Sequence, residues 1–96
     1  MRFAWDHGKS DRNLQDRGFD FEFATLIFEG PTLERDDVRR DYGERRVIAT
    51  WVADGIHLTV VYTDRAESGG LVRRIISARL SNRYERQEYF QALETE

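Results

Sequence analysis

The chain contains no cysteine, so disulfides and thiolate zinc sites are excluded and nothing calls for an oxidising compartment. Proline occurs once, and Lys9 is the only lysine, which leaves fourteen of the 15 basic residues as arginine. His7 and His57 stand far apart, with no HxxxH, HExxH or clustered acidic loop to complete a metal-ligand set. No apolar run approaches the roughly 20 residues of a membrane span. Asp6, His7, Lys9 and Asp11 interrupt the N-terminus where a leader needs an apolar stretch. Gly69 and Gly70 lack the flanking pattern of a phosphate loop, and no nucleophile elbow or serine–histidine–acid set is visible. The expectation is a cytoplasmic protein without metal, cofactor or membrane contact.

What the chain does contain suits a folded domain. Its 96 residues, 34% charged, 40% hydrophobic and 12% aromatic, fit one domain over residues 1–96. A domain of this size buries about 60–65% of its unfolded surface. The net charge of −3 counts against nucleic-acid binding, but the charge is unevenly placed. Arginines 65, 73, 74, 79, 83 and 86 face only Glu67 and Glu85 in the same stretch, six positive charges against two negative. Such asymmetry can make one basic face on an acidic protein.

Phe3-Ala4-Trp5 reads as a short edge strand. Asp6 can cap a helix to about Arg17, ended by Gly18, with Asp6, Lys9, Asn13 and Arg17 on a polar face and Leu14 on a thin buried one. A second helix is expected from Asp20 to Glu29, apolar nearly all round, before Gly30-Pro31. The five phenylalanines from Phe3 to Phe28 read as core. Arg45 to Ala53 and Ile56 to Thr63 are strands joined by Asp54-Gly55, a strong hairpin signal. Arg65 to Gly70 reads as a looser loop, Val72 to Arg79 as the next strand, and Thr32 to Arg35 as a segment that could also pair. Ser81 can cap a last helix from about Asn82 to Leu93, with Tyr89 and Leu93 inward. The fold class is α+β: a small antiparallel meander covered by two N-terminal helices and one C-terminal helix.

Arginine and aromatic residues carry what chemistry the residue types suggest. Alternation puts Arg73, Ile75, Ser77 and Arg79 on one face of the last strand. Arg79 and Arg65 could converge with Arg46 across the sheet, with Trp5, Trp51 or Tyr62 near enough to stack on bases. The alternative is a solvated sheet face laced with pairs from Glu44 or Glu67. Asp36-Asp37 reads as a solvated turn.

Several strings together resemble the BrnT family of toxins. They are Trp5-Asp6 with Lys9, Asn13 and Gly18-Phe19-x-Phe21; Asp41-Tyr42-Gly43-Glu44-x-Arg46; Val60 to Arg65; and Arg74-Ile75-Ile76-Ser77-Ala78-Arg79, followed by Arg83-x-Glu85-Arg86-x-x-Tyr89. The resemblance implies a RelE-like fold and metal-free RNA cleavage. It also implies neutralisation by a BrnA-like antitoxin, a ribbon-helix-helix protein that binds operator DNA, in a heterotetramer. Members usually carry Lys-His before the glycine that matches Gly18; here those positions are Asp16 and Arg17.

Metal-free cleavage needs a base for the 2′-OH, a donor for the leaving oxygen and cations around the phosphorus. On this resemblance Lys9, Arg17, Arg65 and Arg79 are the expected catalytic residues. Trp5, Asn13, Arg46, Tyr62, Arg74 and Arg83 are the expected RNA contacts. His7 could replace the missing imidazole and Tyr62 could donate a proton, whereas arginine does not exchange one at neutral pH. The competing expectation is a weakened relative that mainly binds its antitoxin and tunes operator repression.

Overall fold

The computed structural model describes residues 1–95. Five strands, β1 (Arg2–Trp5), β2 (Leu33–Asp36), β3 (Val47–Ala53), β4 (Ile56–Glu67) and β5 (Gly70–Leu80), form one sheet in the order β1-β5-β4-β3-β2. Helices α1 (His7–Arg17), α2 (Phe21–Ala24) and α3 (Arg83–Glu94) pack on it, with a 3-10 turn at Thr25–Glu29. From β2 to β5 the strands are antiparallel neighbours, and the segment expected to pair from Thr32 does so as β2. The sheet is nevertheless mixed, because β1 lies parallel to β5, with Phe3 opposite Arg73. The apolar triplet marks an edge strand, but its direction is set by a partner some seventy residues away. The Asp54-Gly55 hairpin forms as expected, with φ of 49° and 78° in the left-handed region that this tight turn requires.

The pairing of β1 stops at Trp5 and Ile75, and α1 continues along the same edge of β5. There the Arg17 guanidinium Nη1 donates to the Ala78 carbonyl at 2.8 Å. Asn13 Nδ2 donates to the Phe19 carbonyl at 2.9 Å, and Ser10 Oγ accepts from the Phe21 amide at 3.0 Å. The inward face of α1 is therefore Ser10 and Asn13, both buried, with Arg17 one turn on. The expected Leu14 anchor is 49% exposed. Hydrogen bonds to backbone hold this helix, and hydrophobic periodicity does not report them.

Phe19, Phe21, Ala24 and Ile27 pack on Val47, Ala49, Leu58, Val60, Tyr62, Ile75 and Ala78 of the sheet. Phe3, Phe23 and Phe28 border this core half-buried. The expected ten-residue helix is instead α2 followed by the 3-10 turn. In the tightened turn Ile27 is buried and Leu26 points to solvent. A bulge where β5 passes Val61 and Tyr62 shifts the alternation of β5. Ile75 thus shares the core face with Ala78 rather than with Ser77 and Arg79. Strand β4 runs on to Glu67, which places Arg65 in a strand and not in the expected loop.

On the opposite face, Asn82 rather than Ser81 caps α3, in a reciprocal capping box with Glu85. The Ser81 hydroxyl instead joins a buried chain, Thr50 to Thr59 at 3.1 Å and Thr59 to Ser81 at 2.9 Å. Tyr89 faces inward against Trp51 and His57, whereas Leu93 is 43% exposed. Gly30 ends the 3-10 turn directly against Trp51, where a Cβ would lie 2.2 Å from the indole Nε1. Gly30→Ala is expected to destabilise the fold by about 1–3 kcal/mol, the usual cost of overpacking. A fall in the thermal midpoint checks it, and an unchanged midpoint would contradict the close contact with Trp51.

Candidate RNA-contact site

Between α1 and the stretch of β5 that β1 does not pair lies a groove of about 350 Å³ lined by Lys9, Arg12, Asn13, Asp16, Arg17, Phe21, Ile76 and Ser77. The sequence-predicted Lys9, Asn13 and Arg17 meet here. Asn13 acts as a buried tether, however, and its Oδ1 accepts from Arg17 at 3.1 Å. Among the described residues, Lys9, Arg12 and Arg17 form no ion pair with a carboxylate. Three cations on one groove can grip a phosphodiester without first breaking an ion pair.

The other expected arginines do not join them. Glu44 bridges Arg46 and Arg65, at 3.2 and 3.1 Å, and Arg46 lies 4.0 Å over the Tyr42 ring. The Arg65 hydrogen bond holds the Glu44 carboxyl below its usual range, helped by Arg46. Arg79 sits six residues further along the hairpin, opposite Thr59, whereas Arg65 is opposite Val72. At about 3.3 Å per residue the two are some 20 Å apart. Arg65 and Arg46 thus meet at Glu44, but the expected convergence of Arg79 with them is absent, because its register position lies far along the hairpin.

Arg79 forms a two-pronged bond to Glu85, at 2.7 and 2.9 Å, with the Glu85 side chain 3% exposed and the Arg79 side chain 40%. Burial resists ionisation of Glu85, but Arg79 and the Asn82 amide outweigh it and lower its pKa. This pair fastens α3 to the sheet. Tyr62, expected as a stacking surface, is buried in the core, and its hydroxyl donates to Glu34 at 2.8 Å. Burial first and that hydrogen bond second push its pKa up to about 12. Arg73 covers the Tyr62 ring at 3.9 Å while gripping Asp64. Trp5 is half-buried against the core with His7 at its edge, and His7 does not line the groove. Arg74 is half-buried on β5 opposite Thr63, and Arg83 opens α3 exposed. Among the described residues, no group of three or more His, Asp or Glu side chains is placed to hold a metal ion, and no helix is long and apolar enough to cross a membrane.

Residues 5–85 match the family described as "Ribonuclease toxin, BrnT, of type II toxin-antitoxin system". The chain belongs to the BrnT family. No curated protein matches it. The matched span contains the whole α1–β5 groove and both arginine networks, and ends at the carboxylate that anchors α3. A toxin of a type II system has an antitoxin as its partner.

Sequence reasoning missed three residues of this BrnT chain. Arg12 was legible as the i+3 neighbour of Lys9. Glu85 was legible from the Asn82-x-x-Glu85 capping spacing. Asp37 gave no signal: the expected solvated turn holds a buried carboxylate that accepts Arg39 Nε and Nη2 at 2.8 and 2.7 Å, which lowers its pKa.

Two outcomes follow from the buried pair. Arg79→Ala should cost about 2–4 kcal/mol by stranding Glu85, less than for a wholly buried pair because Arg79 is partly hydrated. Arg83→Ala should stay within about 0.5 kcal/mol. Equal denaturant midpoints for the two variants would contradict the anchoring role. The pH dependence has a definite sign as well. Glu85, Glu44 and Asp37 all have lowered folded pKa values, so their contribution is complete above the ordinary carboxylate range. It is lost as pH falls through those lowered values. Urea titrations should therefore show stability falling below about pH 4.5, with a shallower fall for Glu85→Gln.

Proposed function

We propose that this ribonuclease toxin cleaves RNA without a metal ion, in the α1–β5 groove. The observation that carries the reading is the presence of Lys9, Arg12 and Arg17 on one groove, free of carboxylate partners among the described residues. The three cations hold the non-bridging oxygens of the scissile phosphate and stabilise the charge that builds at phosphorus. The 2′-oxygen attacks phosphorus, and the bond to the 5′-oxygen breaks. The 2′-OH proton passes to Asp16, the carboxylate lining the groove, and the leaving oxygen takes a proton from the Lys9 ammonium. Products are a 2′,3′-cyclic phosphate and a 5′-hydroxyl, after which water returns the proton balance.

Arg65 and Arg46 serve as outlying contacts to the RNA backbone, and Arg79 acts through the placement of α3. The partner is a BrnA-like antitoxin of ribbon-helix-helix type, bound as a heterotetramer, and operator DNA is met only through it. The site of action is the cytoplasm. A second reading, a weakened toxin retained for antitoxin binding and repression, is favoured by one observation. Arg17 stands where the family pattern has histidine, and it is tied to Ala78 and Asn13.

Expression without the antitoxin should arrest growth and produce new RNA ends carrying cyclic phosphate. Lys9→Ala should lower purified cleavage about 10²–10⁴-fold, as for other positioned proton donors. EDTA should leave the rate unchanged. Normal growth with intact RNA, at confirmed folded expression, would select the second reading, and restoration by magnesium after chelation would overturn the mechanism.

A further inference from the structure

Arg17 lines two concavities at once. Beside the cationic groove, past the end of α1, lies an apolar hollow of about 330 Å³ walled by Leu14, Phe19, Phe23, Ile56 and Leu80. Leu14, Ile56 and Leu80 are 49%, 40% and 56% exposed. They come from α1, β4 and β5, so three separate elements present bare aliphatic side chains to one hollow. The fold does not need them there, because α1 is fastened through Ser10, Asn13 and Arg17. An apolar patch built this way, rimmed by charge, marks a protein-binding surface.

We infer that this hollow is the docking site of the antitoxin. A segment of that partner seats aliphatic or aromatic side chains against Leu14, Ile56 and Leu80 and lays neighbouring carboxylates over Arg17, Lys9 and Arg12. The inference rests on the antitoxin reading under Proposed function. Charge complementarity selects this occupant. Hollow and groove together carry three cations against the carboxylates Asp16 and Asp20, and Asp20 is already engaged in capping α2 through the Phe23 amide, so the matching segment is apolar and acidic. A second copy of this chain is the poorer fit, since a two-fold contact would turn the same Lys9, Arg12 and Arg17 toward their own copies. RNA is a poorer fit still, because Leu14, Ile56 and Leu80 offer no flat face for a base. Since Arg17 belongs to both hollows, antitoxin and RNA exclude each other, and neutralisation needs no change of fold.

The test measures binding of the full chain to the product of the reading frame beside its gene. Leu80→Asp and Ile56→Asp place a carboxylate at exposed positions, and each should weaken binding at least about 100-fold. Val38→Asp, at an 84% exposed position in the loop after β2, should change it less than about threefold. Hydrogen exchange on the unmodified chain guards against a folding artefact. Protection on binding is expected over residues 14–23 and at Ile56 and Leu80. Tight binding that ignores both substitutions, or protection confined to other segments, would overturn the docking site alone. No binding by the unmodified chain would overturn the antitoxin reading as well. Sedimentation of the chain alone as a dimer that Leu80→Asp dissolves would assign the hollow to a second copy and overturn the proposal.

Discussion

Everything at this end of the molecule depends on how the open edge of β5 is covered. An edge carbonyl without a partner is costly when water is excluded and invites pairing with another chain when it is not. Here β1 covers the first part of the strand and α1 the rest, with the Arg17 guanidinium taking the Ala78 carbonyl that a neighbouring strand would have taken. A helix in that position cannot bury an apolar stripe against backbone. It uses Ser10, Asn13 and Arg17 instead and leaves Lys9 and Arg12 on the shoulder above the strand. The cationic groove is a by-product of that closure.

An arginine-rich composition does not by itself make a basic surface. Asp36, Asp37, Glu44, Asp64 and Glu85 each accept at least one guanidinium, and these pairs draw on Arg39, Arg45, Arg46, Arg65, Arg73 and Arg79. The stretch from Arg65 to Arg86 looks strongly positive along the chain. In space three of its six arginines are answered by carboxylates, two of which, Glu44 and Asp64, lie outside that stretch. What distinguishes α1 is that three cations without such answers among the described residues, Lys9, Arg12 and Arg17, line one groove.

The strands and the hairpin turn were legible because they rest on β-branched runs and on one dipeptide whose backbone only a tight turn accommodates. The direction of β1, the bulge in β5 and the tightening after Ala24 were not legible, since each answers to a neighbour distant in sequence. The shared face of Lys9, Asn13 and Arg17 was legible in helical spacing, which is local. Arg65, Arg79 and Tyr62 were misplaced for the opposite reason: their surroundings are fixed by Glu44, Glu85 and Glu34, and pairing across a sheet leaves no period in the sequence. The Glu44 pairs were foreseen, and they form.

The hydroxyl chain beneath α3 has fewer protons than neighbours to share them with. Each hydroxyl has one proton to give and two lone pairs to accept with. Thr59 has a hydroxyl on either side, Thr50 at 3.1 Å and Ser81 at 2.9 Å, so it can donate to only one of them and must accept from the other. The row can therefore run in either sense, from β3 toward the start of the α3 connection or back again. Reversing it moves no heavy atom. Three side chains from separate elements are coupled in this way, since the turn of one hydroxyl obliges its neighbours to turn.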